Sequence, residues 1–436
     1  MRAIIRQKIV DSLASPVPVF TPRDVRLPRI PGKATAVIGM RRTGKTTFLW
    51  QVLAERLKHG TARQGLLYFN FEDERLAGLS SADLQMVVEE YYRLHPEWRD
   101  RWRAVFFLDE IQAVPGWETF ARRILDTEKV ELFVSGSSAR LLSREVATSM
   151  RGRAMEALVH PFSFREFLRH KAEEPRIEPG RMAKAARSVL EKSLLDYLSC
   201  GGFPEALDAD ARDRYDLLRG YVDTALFRDV VERHSVSHVA ALRWMVRHLL
   251  GNAGGSFSVN KFYNDTRSQG LAVSKDTLYD YLSYLEDAFL IRAVSIAAKS
   301  ERRRMVNPRK IYPIDPGIIP IYDRTGRIEA GHVLETCVLL ELERRGAEIA
   351  YVRTKAGFEV DFLARYPDGR EDLVQVCADL NERAVCDREV RALREASGEH
   401  PRAELHIITL HPESARDLPA NMAVHSAAAW LLSPGE

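Results

Sequence analysis

Cysteine is scarce in this chain: four in 436 residues, Cys200, Cys337, Cys377 and Cys386. None form a C-x-x-C pair, and no Cys/His set has zinc-site spacing. That excludes a disulfide scaffold and a zinc finger, and leaves free thiols in a reducing cytosol as the expectation. Long apolar runs are missing too. No stretch approaches the roughly 18 uninterrupted apolar residues of a membrane helix. The opening MRAIIRQKIVDSLASP meets Lys8 and Asp11 before a signal-peptide core can form. The expectation is a cytoplasmic protein with no membrane partner. An excess of one charge is also absent: 64 Lys and Arg stand against 61 Asp and Glu, a net of +3. Such a balance does not by itself declare a nucleic-acid binder.

What is present is a globular composition, 45% hydrophobic and 29% charged, with length for two to four domains at roughly 100–200 residues each. Residues 1–33 carry seven Lys or Arg against two Asp or Glu and end in a proline-rich strip. They read as a basic arm with a short amphipathic helix. From 34 to 165, apolar runs (ATAVIG, GLLYFNF, AVFFLDE, VELFVSGSS, AMEALVHPF) alternate with helical patterns. That predicts a mostly parallel sheet covered by helices on both faces. Residues 166–235 turn helical, as a lid or linker interrupted by Gly201-Gly202-Phe203-Pro204. Residues 236–325 read as helix, helix, turn, helix and two strands. Residues 326–436 open with a helix, followed by three strand-like runs, a charged helix and a last strand.

The sharpest motif is Gly39-Met40-Arg41-Arg42-Thr43-Gly44-Lys45-Thr46, which fits G-x-x-x-x-G-K-[ST] between an apolar strand and a helix. A loop that wraps its N–H groups around phosphate oxygens has no room for side chains at the glycines. Lys45 would reach the β- and γ-phosphates, Thr46 would ligate Mg²⁺, and the helix beginning at Thr46 and Thr47 points its positive end at the anion. The expected ligands are ATP and Mg²⁺. A second motif, Val105-Phe106-Phe107-Leu108-Asp109-Glu110, is a buried strand delivering two carboxylates. Asp109 suits Mg²⁺, and Glu110 suits the general base that activates water. The order fits a P-loop fold with an extra strand between the loop strand and the carboxylate strand. Ser135 or Ser137, after the next strand, is placed to sense the γ-phosphate, and Asn70 to tether Glu110.

LDEIQAVPGWETFARRILD, VSGSSARLLS, RGR and PFSFREFL resemble the AAA-type ATP-binding proteins of bacteria and archaea. GGFPE at 201–205, Arg228-Asp229, NPRKIYPIDPG at 307–317 and FEVDF at 358–362 extend the likeness across nearly the whole chain. The resemblance implies an α/β P-loop NTPase core, then a winged helix and a restriction-endonuclease-like domain. It also implies a homo-oligomer, as in a ring, where an arginine of one subunit completes the site of the next. Arg153, Arg151 and Arg140 are the candidates, with Arg228 behind them.

In the winged-helix segment, Ser258 to Gln269 gives one helix and Ser274 caps the next. Leu278, Leu282 and Leu285 share one face of that second helix. It carries Lys275 against Asp276, Asp280, Glu286 and Asp287, which argues against insertion into a DNA groove. The basic signal lies instead on the expected wing loop: Arg302, Arg303, Arg304, Arg309 and Lys310, suited to phosphate contacts. In the nuclease-like segment, Glu335 and Asp361 match a metal-binding carboxylate pair. The third strand should read Glu-x-Lys but reads Gln375-Val376-Cys377. An amide and a thiol replace the second carboxylate and the lysine, so no nuclease activity is expected unless Lys355 supplies the missing amine. The leading expectation is an ATPase that drives or gates DNA contact. The alternative is a nucleotide switch acting on a protein partner without DNA.

Overall fold

Apolar runs without polar alternation must be covered on both faces, and in Met1–His160 a parallel sheet meets that demand. The computed structural model describes residues 1–136, 150–298, 300–306, 308–323, 329–414 and 418–433. They fall into two units, Met1–His160 and Pro161–Glu436. In the first, β1 (Ala34–Ile38), β2 (Leu66–Asn70), β3 (Ala104–Asp109), β4 (Val130–Ser135) and β5 (Ala154–Leu158) lie in the order β2-β3-β4-β1-β5, all parallel. β4 is the extra strand between the loop strand and the carboxylate strand. Every residue of β1 and β3 is buried.

The helices of this unit are α1 (Arg2–Ala14), α2 (Lys45–Lys58), α3 (Gln85–Leu94) and α4 (Trp117–Thr127). α4 buries Trp117, Phe120, Ala121 and Ile124, the i, i+3, i+4, i+7 stripe of a helix lying on a sheet. The basic arm is not a free tail. Ile5 and Ile9 are fully buried, and α1 packs on α3 and β2. Arg2 pairs with Glu89 at 2.7 Å and Lys8 with Asp73 at 2.5 Å.

The second unit begins with α5 (Phe164–His170), α6 (Lys184–Cys200) and α7 (Ala211–Thr224). Ser163 and Glu166 cap α5 reciprocally, and Asp210 caps α7. A π-helical turn, Ala225–Val231, follows, in which Arg228 pairs with Glu232 at 3.2 Å. Then come α8 (Val239–Leu250), α9 (Val259–Ser268) and α10 (Lys275–Asp287), with Ser258 and Ser274 accepting the capping N–H groups of α9 and α10. Leu278, Leu282 and Leu285 are buried as expected. β6 (Ser256–Phe257), β7 (Ile291–Val294) and β8 (Arg309–Pro313) form an antiparallel sheet in the order β6-β8-β7. The link between β7 and β8 was expected as an open loop. It contains a helix instead, α11 (Glu301–Val306).

A mixed sheet completes the unit. β9 (Glu348–Arg353), β10 (Glu359–Arg365) and β11 (Glu371–Cys377) are antiparallel. β12 (Glu404–Thr409) and β13 (Met422–Ser426) join β11 in parallel. α12 (Ala330–Arg344) and α14 (Ala427–Leu432) cover one face, and α13 (Arg383–Glu399) covers the other. The register of β10 against β9 slips by one between Val360 and Leu363. This bulge lets Asp361 and Phe362 both work on the α12 side.

Two glycine-bearing motifs meet in this unit. Asp315 is 1% exposed, and its oxygens accept the N–H groups of Gly202 at 2.7 Å and Gly317 at 2.9 Å. A Cβ on Gly201 would stand 1.9 Å from the Asp315 carboxylate, so segment 201–205 closes on Asp315 only through glycine. Burial, opposed by those two hydrogen bonds, raises the Asp315 carboxyl from 3.8 to about 7. With the folded value above the unfolded one, the bound proton stabilises the fold fully below about pH 4, and this stabilisation is lost as pH rises through about 7. The thermal midpoint should therefore be several degrees lower at pH 8 than at pH 5, and Asp315→Asn should flatten that slope. An unchanged slope in the variant would remove Asp315 as its source.

Candidate functional site

A parallel sheet collects the C-terminal ends of its strands on one edge, and the loop after β1 and the carboxylates after β3 meet there. Gly39 has φ 144°, and a Cβ on it would stand 2.3 Å from the Val159 carbonyl oxygen. Gly44 caps α2 in the left-handed region, at φ 93°. Arg42, exposed, turns the loop with φ 66°. The buried Thr43 donates to the Met40 carbonyl at 3.0 Å. Lys45, 5% exposed, curls back to donate to the carbonyls of Gly39 at 3.1 Å and Met40 at 2.8 Å. Arg41 is half-buried, and Thr47 is exposed on the first turn of α2.

Asp109 lies at the end of β3 with no exposure, and three hydroxyls surround its carboxylate. Thr46 donates to Oδ2 at 2.8 Å, Tyr68 donates to Oδ2 at 2.7 Å, and Ser135 donates to Oδ1. Burial, together with the charge of Asp109, raises the Tyr68 hydroxyl well above its ordinary value and keeps it a donor. Glu110 takes a left-handed backbone, φ 53°, which turns its carboxylate away from the strand, where the Gln112 amide donates to it. The expected pair Thr46 and Asp109 is thus in direct contact, with Glu110 on the next residue.

Other expectations fare differently. Ser135 spends its one proton on Asp109. Ser137 and Arg140 lie outside the described residues. Asn70 Oδ1 accepts the Glu72 N–H at 2.7 Å, closing the turn after β2. Arg153 sits just before β5, at the sheet edge opposite the loop, where its carbonyl accepts the Ala34 N–H at 2.9 Å and its side chain pairs with Asp126. Arg23, 7% exposed, was counted only as part of a basic arm. It donates to the Thr43 carbonyl at 2.8 Å and to the His160 carbonyl, strapping the loop to the end of β5. Tyr68 was also missed. Its signal lies in the register: Asn70 pairs with Asp109 across parallel strands, so a residue two back on β2 shares the carboxylate's face.

The second unit holds a different cluster. Glu335 on α12 and Asp361 on β10 come together as expected, but a lysine sits between them. Lys310, 5% exposed, reaches Asp361 at 2.9 Å, Glu335 at 3.1 Å and Glu359 at 3.1 Å. Tyr312 donates to Glu335 at 2.6 Å, and the Val376 N–H to Asp361 at 3.0 Å. Burial alone would lower the Lys310 amine. The charge of Asp361, then of Glu335 and Glu359, holds it above its ordinary value. Two expectations are corrected here. Lys310 cannot serve as a phosphate contact, because a buried ammonium held by three carboxylates is not offered to solvent. Nor is Lys355 the lysine of this cluster; it is exposed in the turn before β10. Gln375 places Oε1 3.4 Å from the Asp361 N–H. Cys377 donates to the Asp379 carbonyl at 3.0 Å, its thiol raised to about 11 by burial.

Of the remaining basic run, Arg302 and Arg303 are exposed. Arg304 pairs with Glu301 at 3.2 Å, and Arg309 with Glu286 at 3.4 Å. Removing the Lys310 ammonium would leave three carboxylates facing one another. Lys310→Met should lower stability in urea titration by about 3–5 kcal/mol. Glu335→Gln in the same chain should restore part of that loss, and a cost below about 1 kcal/mol would mean that water already solvates the cluster.

Comparison with known proteins adds the lineage. The AAA domain family matches residues 31–168, and a domain of unknown function, DUF8612, matches residues 191–324. The uncharacterized protein MJ1544 of Methanocaldococcus jannaschii is 33% identical over 379 residues, covering 86% of this chain and 81% of the relative. An uncharacterized protein of Haemophilus influenzae is 28% identical over 335 residues, 76% of this chain and 79% of the relative. Among solved structures, the Walker-type ATPase PABY2304 of Pyrococcus abyssi aligns over 74% of this chain and 95% of its own, with 15% identity and a TM-score of 0.40. The chain belongs to the same family as MJ1544, and its residues 31–168 form an AAA-type domain with the G-x-x-x-x-G-K-T loop and the Asp109-Glu110 carboxylates on one sheet edge.

Proposed function

We propose that the protein is a Mg²⁺-dependent AAA-type ATPase whose nucleotide state gates contact with DNA. The observation that carries the ATPase reading is the 2.8 Å contact between Thr46 and Asp109, with Lys45 on the same loop and Glu110 beside them. The donor set fits the group: a hydroxyl and a carboxylate are the hard oxygen ligands that Mg²⁺ takes. Mg²⁺, when bound there, neutralises charge on the phosphates. Lys45 would exchange the Gly39 and Met40 carbonyls for phosphate oxygens. Tyr68 and Ser135 hold Asp109 in position, and Glu110 accepts a proton from the attacking water. Arg153 or Arg151 of a second copy would complete the site, in a homo-oligomer. Within its own subunit Arg153 lies at the wrong edge of the sheet.

For DNA, the reading rests on Arg302 and Arg303, exposed between β7 and β8. They belong to a helix-turn-helix and antiparallel sheet that we read as a winged helix. Arginines of this kind hold phosphates without reading bases. The mixed sheet we read as a nuclease-like domain without activity, its carboxylates filled by Lys310 and its third strand carrying Gln375 and Cys377. A second reading, a switch acting on a protein partner, is favoured by one observation. Arg304, Arg309 and Lys310 all face carboxylates, and α10 carries a net charge of −3.

Lys45→Ala should abolish ATP binding in a fluorescent-nucleotide titration, and retained affinity would count against the loop. Glu110→Gln should bind ATP but turn over roughly 10²–10⁴-fold more slowly, and near-normal turnover would mean another base. Steady-state ATPase with single-stranded, duplex and four-way-junction DNA separates the two readings. Stimulation by one form, lost at high salt and in Arg302→Ala/Arg303→Ala, supports the DNA reading. Indifference to every form moves the weight to a protein partner.

A further inference from the structure

A second polar cluster lies in the mixed sheet, away from the Lys310 carboxylates. Asp372 on β11 and Glu404 on β12 are register partners, and His406 follows two residues along β12. His406 Nε2 stands 3.7 Å from both Asp372 Oδ1 and Glu404 Oε2. Among the described residues this is the one set of three His, Cys, Asp or Glu side chains whose ligand atoms converge within 4.8 Å. Asp372 is 7% exposed, and neither its Oδ1 nor His406 Nε2 has a hydrogen-bond partner. Two inward-facing polar atoms left unmatched at the same spot need an explanation.

The other nitrogen of His406 supplies part of it. Nδ1 stands 3.0 Å from Nε2 of His425 on β13. Two imidazole nitrogens that close must share a proton between them. If His406 donates, its Nε2 carries a bare lone pair aimed at two carboxylate oxygens, an arrangement that repels unless a cation lies between. If His425 donates, His406 Nε2 carries a proton, yet both oxygens stand beyond hydrogen-bond reach. The first arrangement is the usual one at metal sites, where the ligating imidazole donates its other N–H to a partner that fixes the tautomer. Two donors on one tetrahedral zinc, each about 2.0–2.1 Å from the ion, lie roughly 3.4 Å apart. The 3.7 Å spacing closes onto that with a shift of a few tenths of an ångström.

We infer that Asp372, Glu404 and His406 bind a divalent transition-metal ion of the zinc class, with His425 as the positioning residue behind His406. One imidazole and two carboxylates suit zinc better than the all-oxygen sets of Mg²⁺ and Ca²⁺. Glu404 is exposed, and a cleft lined by Ser397, Pro401, Glu404, His406 and Asn421 gives an entry path. The ion would clamp β11 to β12, and its fourth position would face the cleft.

The test is titration of the full chain, stripped of metal and free of nucleotide, with Zn²⁺ in isothermal calorimetry. Co²⁺ absorption serves as a second readout of geometry. The expectation is one equivalent bound at micromolar affinity or tighter, with tetrahedral Co²⁺ bands, unaffected by millimolar Mg²⁺. His406→Gln and Asp372→Asn should each weaken binding at least 10-fold. Glu404→Gln, on an exposed side chain whose loss cannot unfold the sheet, should weaken it too. His425→Ala should leave the stoichiometry at one and weaken affinity. Absence of binding in the wild-type chain, or the same binding in His406→Gln and Glu404→Gln, would overturn the site.

Discussion

A carboxylate with no access to water has to be matched by donors from the protein, and Asp109 shows how far that demand reaches. Its partners come from two strands and a helix: Tyr68 from β2, Ser135 from β4 and Thr46 from α2, around the end of β3. None of these contacts forms unless the strands stand in one register with their C-terminal ends level. The sheet order β2-β3-β4-β1-β5 therefore follows from more than apolar burial. It puts the loop after β1, Asp109 and Glu110 on one edge of the sheet.

The second unit solves the opposite problem. There a buried ammonium is matched by three carboxylates, and the lysine comes from β8, outside the sheet that carries Asp361 and Glu359. The cluster thus joins the small antiparallel sheet to the mixed sheet by charge, while Tyr312 joins them by packing, its ring 5.8 Å from Phe362. Both buried sites cost desolvation and recover it through short contacts. The difference is in what they leave open. Asp109 has the Thr46 hydroxyl and the loop after β1 beside it. Glu335 and Asp361 have their cation built in.

Much of the first unit was legible because its signals are local. An apolar run, a G-x-x-x-x-G-K-T loop and a second run ending in Asp109-Glu110 each declare themselves within ten residues. What escaped depends on neighbours distant in sequence. Tyr68 reads as an ordinary strand aromatic until the register places it beside Asp109. Arg23 reads as one more charge in a basic arm until the Thr43 and His160 carbonyls are found together. Lys310 misled for a similar reason: five cations in ten residues look solvated, and the alternation that turns Lys310 and Tyr312 inward is short. The bulge at Asp361 was hidden too, since strict alternation in FEVDF would send Asp361 and Phe362 to opposite faces. β13 and α14 went unread because MAVHSAAAWLL is too short to separate strand from helix.

The strap at Arg23 carries a consequence for the order in which the chain is made. Within this unit β1 leaves the ribosome before the other strands of its sheet, yet both of its neighbours, β4 and β5, are the last two of them. Arg23 waits longer still, for the carbonyl of His160, 137 residues downstream. Until β4 is made the loop-bearing strand has no partner on either side, and until His160 is made the Arg23 guanidinium lacks that carbonyl. The loop after β1 is thus encoded early in this unit and strapped late. During synthesis the loop and its strap come together only once the strands of this unit have been made.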